Sequence, residues 1–504
     1  MMSDKTTAAL TRDDWQARSQ ALEIRTGAYI DGAFCAAVSG ATFACVSPID
    51  GRHLADIAAG DQADIDRAVL AARTAFESGV WSALAPAKRK RVMLKFAELL
   101  RRNLDELALL ETLDVGKPIR FTRIVDIPLS ADCVAWNAEL IDKLYDEVAP
   151  TDPSVQATIR REPVGVVGMV VPWNFPLLMA SWKFAPALAA GNSVVLKPAE
   201  QSPLTALRVA ELASEAGIPA GVFNVVPGFG HTAGKALGLH PDVDMLAFTG
   251  STEVGKYFLT YAGQSNMKQV WLECGGKSPH IVFADAYDLD AAVKAVGMGI
   301  FFNSGQVCNA GSRLLVQRAV HDEFVEKLKV FAAKMIPGDP LEPKTVLGSV
   351  VSQAHLETIM SHVQAAQAQG LKLEAGGAPV TPVAGGSYMA PTLFSGVENH
   401  MRLAQEEVFG PVLAIIPFDD EADAVRIAND SMYGLAAGLW TSDLSRAHRL
   451  SRRLRAGVVW VNTYDAGDMT IPFGGVKQTG FGRDRSHHAF DKYTQLKTVW
   501  INVG

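Results

Sequence analysis

The chain has 504 residues, more than one simple core accommodates, so two or three domains are expected. Hydrophobic residues make up 48% and charged ones 20%, the balance of a soluble globular protein, and a net charge of −7 argues against nucleic acid or an anionic membrane as partner. Five scattered cysteines with no CxxC pair offer neither a disulfide framework nor a zinc site.

The opening stretch MMSDKTTAALTRDDWQARSQ lacks the apolar core of a secretory signal, which predicts a cytoplasmic protein. Residues 63–114 read as helical and are expected to pack on a first sheet. From Val164 onward, short β-branched runs alternate with amphipathic stretches. VGVVGMVV, SVVLKP, FNVVP, DMLAFTG and QVWLE read as buried parallel strands. Between them SWKFAPALAA, SPLTALRVAELASEAG, HTAGKALGLH and STEVGKYFLTYAG read as helices, with Ser202-Pro203 and Gly217 as start and stop signals. The most apolar run, Val164 to Ala180, is broken by Pro172, Asn174 and Pro176 and falls short of the ~20 apolar residues a membrane span needs. A second series of strands begins at HIVFADA and continues through RLLVQ, AIIPF, GLAAGLW and GVVWVN. Its helices include DLDAAVKAVGMGIFF, VHDEFVEKLKVFAAKM, SQAHLETIMSHVQAAQAQG, EADAVRIAND and LSRAHRLSRRL. Repeated strand–helix–strand units predict an α/β fold with open sheets and right-handed crossovers, divided near Gly275-Gly276.

Three short segments carry chemistry. FFNSGQVCNAGSR places Cys308 in a Gly/Asn-rich turn after a helix. A lone cysteine is ordinarily a small buried hydrophobe; as a nucleophile it needs access and a base or nearby positive charge. WLECGGKSP puts Glu273 at a strand end beside two glycines, and VPWNFP holds Asn174 at another strand end between two prolines. Taken singly, Glu273 reads as a surface carboxylate and Asn174 as a turn residue. Taken together, the three suit one mechanism: a thiolate adds to an aldehyde carbonyl, an amide N–H holds the oxyanion, and a carboxylate later activates water.

VPWNFP, LKPAE, FTGST, LECGGKSP, FNSGQVCNAGSR, QEEVFGPV and IPFGGVKQTGFGR occur in this order over about 300 residues. They resemble the NAD(P)⁺-dependent aldehyde dehydrogenase superfamily, and the resemblance spans essentially the whole chain. It implies a Rossmann-like cofactor domain (1–139 and 164–275), an α/β catalytic domain (276–486), and a small β flap for oligomerisation (140–163 and 487–504) that makes a homodimer or homotetramer. It implies Cys308 as nucleophile, Asn174 with the Cys308 backbone N–H as oxyanion hole, and Glu273 as the base of deacylation. For NAD, with NADP as the other possibility, the implied contacts are Trp173, Lys197, Glu200, Gly230, Gly250, Ser251, His355, Glu407 and Phe409. Gly250 and Ser251 match the turn where a helix N-terminus meets the pyrophosphate. PGFGHTAG also fits G-x-G-x-x-A at Gly228, Gly230 and Ala233, but no acidic residue follows at a strand end ~20 positions on, so helix–strand packing near the adenine is the expectation there. Glu200 favours NAD⁺ by repelling a 2′-phosphate, a repulsion that Lys197 softens.

The substrate is a small-molecule aldehyde. The pattern most resembles dehydrogenases of γ-glutamyl-γ-aminobutyraldehyde or 4-guanidinobutyraldehyde, from polyamine and arginine catabolism. Phe175, Met179, Trp182, Phe302 and Phe473 match positions lining the substrate tunnel, where aromatic faces suit a cation. Asp465 and Asp468 suit pairing with a cationic tail or, equally, the closing of a turn. Gly467 leaves room at the mouth for bulky or aromatic aldehydes, such as indolic ones. A CoA-acylating relative would generally lack Glu273, a non-catalytic structural relative would have no need of the three groups, and no metal-ligand spacing or pyridoxal-lysine motif occurs.

Overall fold

The computed structural model describes residues 10–504; the first nine, part of the stretch read as lacking a signal's apolar core, lie outside the described residues. The β-branched runs after Val164 form a parallel sheet because both of its faces are covered by helices. Across it the strands run Ala33–Cys35, Ala28–Ile30, Phe223–Val225, Ser193–Lys197, Val166–Val170, Met245–Thr249, Gln269–Glu273 and Gly480–Phe481. The inner five are parallel; the pairs involving Ala33–Cys35, Ala28–Ile30 and Gly480–Phe481 are antiparallel. Every residue of Val166–Val170, Ser193–Lys197 and Met245–Thr249 is buried.

Val166–Val170 leads one way to Ser193–Lys197 and the other way to Met245–Thr249. The order of connection reverses between them, and such a reversal opens a crevice at the carboxyl ends of the strands. Asn174 follows the first of these strands, and Gly250 and Ser251 follow Met245–Thr249. Local chemistry fixes the turns. Helix Pro176–Ala190 starts on a proline, whose missing N–H is an orphan at that position anyway, and stops at Gly191 with φ +104°. Helix Thr252–Gln264 is capped by Ser251, whose hydroxyl accepts from Val254 N.

The second sheet runs Lys372–Ala375, Thr392–Ser395, Val412–Phe418, Arg313–Gln317, Pro279–Val282, Ala436–Trp440 and Val458–Val461, all parallel except the first. The mixed α/β architecture is the expected one. Gly275 and Gly276 separate the two sheets, but Gly480–Phe481 crosses back onto the first. A third sheet pairs Thr494–Asn502 with Val155–Pro163 and that strand with Glu147–Ala149, all antiparallel. HTAGKALGLH departs from a plain helix: Gly230–Gly234 is a π turn and only Lys235–Leu239 is α-helical. Among the described residues, no helix is long and apolar enough to cross a membrane.

Candidate active site

The cysteine turn is built from unusual backbone. Helix Leu289–Phe301 ends, and Asn303, Ser304 and Gly305 follow with φ of +50°, +55° and +73°. Gly305 is required there, since a Cβ would stand 2.1 Å from the carbonyl oxygen of Gly410. The turn is tied to the asparagine. Asn174 Nδ2 donates to the Gln306 carbonyl at 3.0 Å, and Asn303 Nδ2 donates to the Asn174 carbonyl at 2.9 Å. Gln306 Oε1 accepts from Val351 N, so Gln306, two residues before Cys308, is held through both its carbonyl and its side chain.

Burial raises the Cys308 thiol above its ordinary range, and the charges of Glu273, Glu407 and Asp465 push it further. Glu273 ends its strand in a buried position, with one carboxylate oxygen lacking a hydrogen-bond partner among the described residues. Desolvation pushes its carboxyl up to about 8, helped by Asp484 and opposed by Lys183, Lys492 and Arg483. Two cavities meet at the thiol. One, of about 280 Å³, is lined by Asn174, Gly250, Ser251, Glu273, Cys308 and Glu407, among others. The other, of about 190 Å³, is lined by Phe175, Phe302, Trp460, Asp465 and Asp468 among others, and Met179, Trp182, Cys308 and Phe473 border both.

In the larger cavity Glu407 accepts from Gly276 N at 2.7 Å, and burial pushes its carboxyl up to about 7. Gly275 keeps that space open, since a Cβ there would stand 2.0 Å from Glu407 Oε2. Trp173 packs edge-on to both His355 and Phe409 with ring centroids 5.3 Å apart, and His355 Nε2 lies 2.8 Å from the Phe409 carbonyl. Lys197 and Glu200 stand away from this cavity's lining; Lys197 Nζ donates to Glu200 Oε2 at 3.1 Å. Gly228 and Ala233 pack tightly, a Cβ on Gly228 coming within 2.5 Å of the Gly60 carbonyl oxygen. Gly230, by contrast, is exposed, and a Cβ there would meet nothing within 4 Å, so close packing does not explain that glycine.

On the smaller cavity's side, Trp182 and Phe473 lie 5.2 Å apart, and Phe121 meets Phe302 edge-on. Asp465 accepts from Asn309 Nδ2 at 2.7 Å, while Asp468 closes its own turn on Thr470 N at 2.8 Å and on the Thr470 hydroxyl. The turn-forming alternative therefore describes Asp468 as it stands.

The profile of the aldehyde dehydrogenase family matches residues 34–499. This chain belongs to that family. The dehydrogenase is 53% identical to the NADP/NAD-dependent aldehyde dehydrogenase PuuC of Escherichia coli (strain K12), over 97% of this chain and 98% of the relative. It is also similar to the solved P. syringae indole-3-acetaldehyde dehydrogenase AldA, with 58% identity, TM-score 0.97, and coverage of 98% of this chain and 100% of the other. A γ-glutamyl-γ-aminobutyraldehyde dehydrogenase from Burkholderia cenocepacia J2315 matches at 57% identity and TM-score 0.96, with the same coverage of each chain.

The dehydrogenase also holds charged groups that no local pattern announces. Asp484 lies behind Glu273 and accepts from both Lys183 and Lys492, all three buried. The pair of ammonium groups keeps the Asp484 carboxyl below its usual range despite burial. Under the Phe175 ring, Lys117 Nζ stands 3.5 Å from the ring centroid and donates to Asp126, while Glu111 Oε1 accepts from Leu177 N at 2.6 Å. These groups brace the first turn of the helix that follows Asn174. Arg485 enters the smaller cavity over the Trp182 ring.

Proposed function

We propose that this dehydrogenase oxidises an aldehyde to a carboxylic acid through a thioester on Cys308, with NAD⁺ as the preferred oxidant and NADP⁺ as the alternative. The observation that carries this reading is the thiol at the junction of two cavities, with Asn174 and Glu273 lining one of them. The larger cavity fits the nicotinamide and pyrophosphate part of a dinucleotide. Gly275 leaves a cradle a Cβ would fill, Glu407 offers an acceptor for a ribose hydroxyl, and the capped helix at Ser251 supplies N–H groups suited to a pyrophosphate. When bound, the oxidised nicotinamide supplies a hydride acceptor. Lys197 and Glu200 would hold the adenosine end.

The chain's own groups do the rest. Glu273, part-ionised near neutrality, takes the Cys308 proton, since the buried thiol does not ionise readily by itself. The sulfur adds to the carbonyl carbon, and the resulting oxyanion is met by Asn174 Nδ2–H and the Cys308 N–H. Loss of hydride leaves the thioester. Once Glu273 has passed that proton to solvent, it removes a proton from water, the hydroxide adds to the thioester carbon, and the C–S bond breaks to release the acid and a Cys308 thiolate.

The tail of the aldehyde lies in the smaller cavity. Its aromatic walls and two carboxylates support an ω-amino, γ-glutamylamino or guanidino aldehyde. A broad-range enzyme acting on aliphatic or indolic aldehydes is the second reading, favoured by the flat walls of Phe175, Trp182, Trp460 and Phe473. A panel of aldehydes compared by kcat/KM with each cofactor separates the two; equal efficiency for hexanal, an indolic aldehyde and 4-guanidinobutyraldehyde excludes the first. The edge-exposed sheet formed by Glu147–Ala149, Val155–Pro163 and Thr494–Asn502, with exposed Val148, Leu496 and Trp500, supports a homodimer or homotetramer built through that flap.

A further inference from the structure

The mouth of the smaller cavity holds a cation that a site built only for cationic tails would not want. Arg485 follows Asp484, whose carboxylate is fixed by Lys183 and Lys492. Arg485 and Ser486 both adopt left-handed backbone, with φ of +63° and +49°, and such strain at a cavity wall is a reason to look for a role. The turn lays the guanidinium over Trp182, 5.6 Å from the ring centroid. Among the described residues its guanidinium is held at one corner, where Nη2 donates to the Asp468 backbone carbonyl. Gly467 leaves this wall open, since a Cβ there would stand 2.7 Å from Ile471 Cδ1 and 3.3 Å from Arg485 Nη2.

The neighbouring carboxylates each engage one oxygen with a neutral donor. Asp465 accepts from Asn309, and Asp468 accepts from Thr470. Among the described residues, no side-chain carboxylate forms an ion pair with Arg485, so most of its five N–H donors remain available to the cavity. A half-buried guanidinium keeps its charge and matches a carboxylate in a planar two-point pair. Asp465 and Asp468 line the same cavity, so both signs of charge are presented to a tail that reaches out from Cys308.

We propose that Arg485 is a specificity-determining residue that binds a carboxylate on the far end of the aldehyde. The favoured substrates then end in a carboxylate, above all in an α-amino-acid head whose ammonium faces Asp465 and Asp468. This rests on the reading that the smaller cavity receives the aldehyde's tail, and among the tails proposed there it favours the γ-glutamylamino kind, which bears an acid, over a plain cation.

The test compares two aldehydes that differ in one group, 6-oxohexanoate and its carboxamide, 6-oxohexanamide. The unaltered enzyme is expected to prefer the carboxylate by about tenfold or more in kcat/KM, chiefly through KM, because a tenfold effect needs a partly desolvated pair. Arg485→Gln should bring that ratio close to one, and Arg485→Lys, which keeps the charge but loses the fork, should fall between. If Arg485→Gln does not fold, the Lys variant carries the test, and its ratio must drop. A ratio near one in the unaltered enzyme, or a ratio that neither variant changes, overturns the assignment. Failure of the underlying reaction looks different: neither aldehyde yields NADH.

Discussion

Replacing Glu273 by Gln separates the two halves of the reaction. In the proposed reaction hydride loss uses Cys308 and Asn174, whereas release of the acid needs water deprotonated by the Glu273 carboxylate. The glutamine fills the same space and cannot accept a proton. A first turnover should still release NADH, followed by a stall as the acyl-enzyme, visible by mass spectrometry as an acyl group added to Cys308. General-base assistance contributes ~10²–10⁴-fold, so the steady-state kcat should fall by about that factor. The pH profile sharpens the expectation. The Glu273 carboxyl is raised to about 8, so it is mostly protonated and inactive as a base below that pH. With that value, its ionised fraction rises from about 0.1 at pH 7 to about 0.9 at pH 9, a gain near tenfold in deacylation. The variant's steady state should lose this rise. Because the carboxylate also takes the Cys308 proton in this reading, the burst should be slowed too, and raising the pH should rescue the burst without rescuing turnover. Stopped-flow absorbance at 340 nm gives the burst and the steady state in one trace. An unchanged steady-state rate in Glu273→Gln, or one accelerated by CoA, would refute the reasoning.

Three further expectations follow from the site. Cys308→Ala should abolish NADH formation while NAD⁺ still binds, measured by calorimetry; normal turnover in a soluble variant would remove the thioester from the mechanism. Glu200→Gln should raise relative kcat/KM with NADP⁺ by about fivefold, toward the low end because Lys197 Nζ already pairs with the carboxylate; an unchanged NAD⁺/NADP⁺ ratio places Glu200 away from the ribose. Gly305→Ala should lower Tm and activity together, since its Cβ meets the Gly410 carbonyl and its φ of +73° suits glycine; a variant with normal Tm and kcat would show that the cysteine turn is not held as described.

The alternation of β-branched runs with amphipathic stretches makes most inner strands of both main sheets legible, because buried parallel strands carry a dense local signal. Thr392–Ser395 and the hairpin of Thr42–Val46 with His53–Ala58 escape such a reading, being short and bordered by mixed residues. Gly480–Phe481 is two residues long, and its pairing with Leu272 and Glu273 depends on a partner some 200 positions away. Cys308, Glu273 and Asn174 stand out because each sits in a turn of glycine, proline or asparagine. Asp484, Lys183 and Lys492 do not, because what marks them is mutual burial across distant segments. Arg485 is equally hidden: nothing in RDRSHH indicates that its backbone turns left-handed and brings the guanidinium over Trp182.

The strand Gly480–Phe481 has a mechanical consequence. Glu273 pairs with Gly480, and Cys274 N donates to the Thr479 carbonyl at 2.7 Å, so the segment that follows the second sheet is stitched to the base-bearing strand of the first. Prising the two sheets apart at this end would tear out the ladder that holds the base. The two sheets are therefore tied together at this end, and the amide of Cys274 should exchange its hydrogen as slowly as the inner strands do.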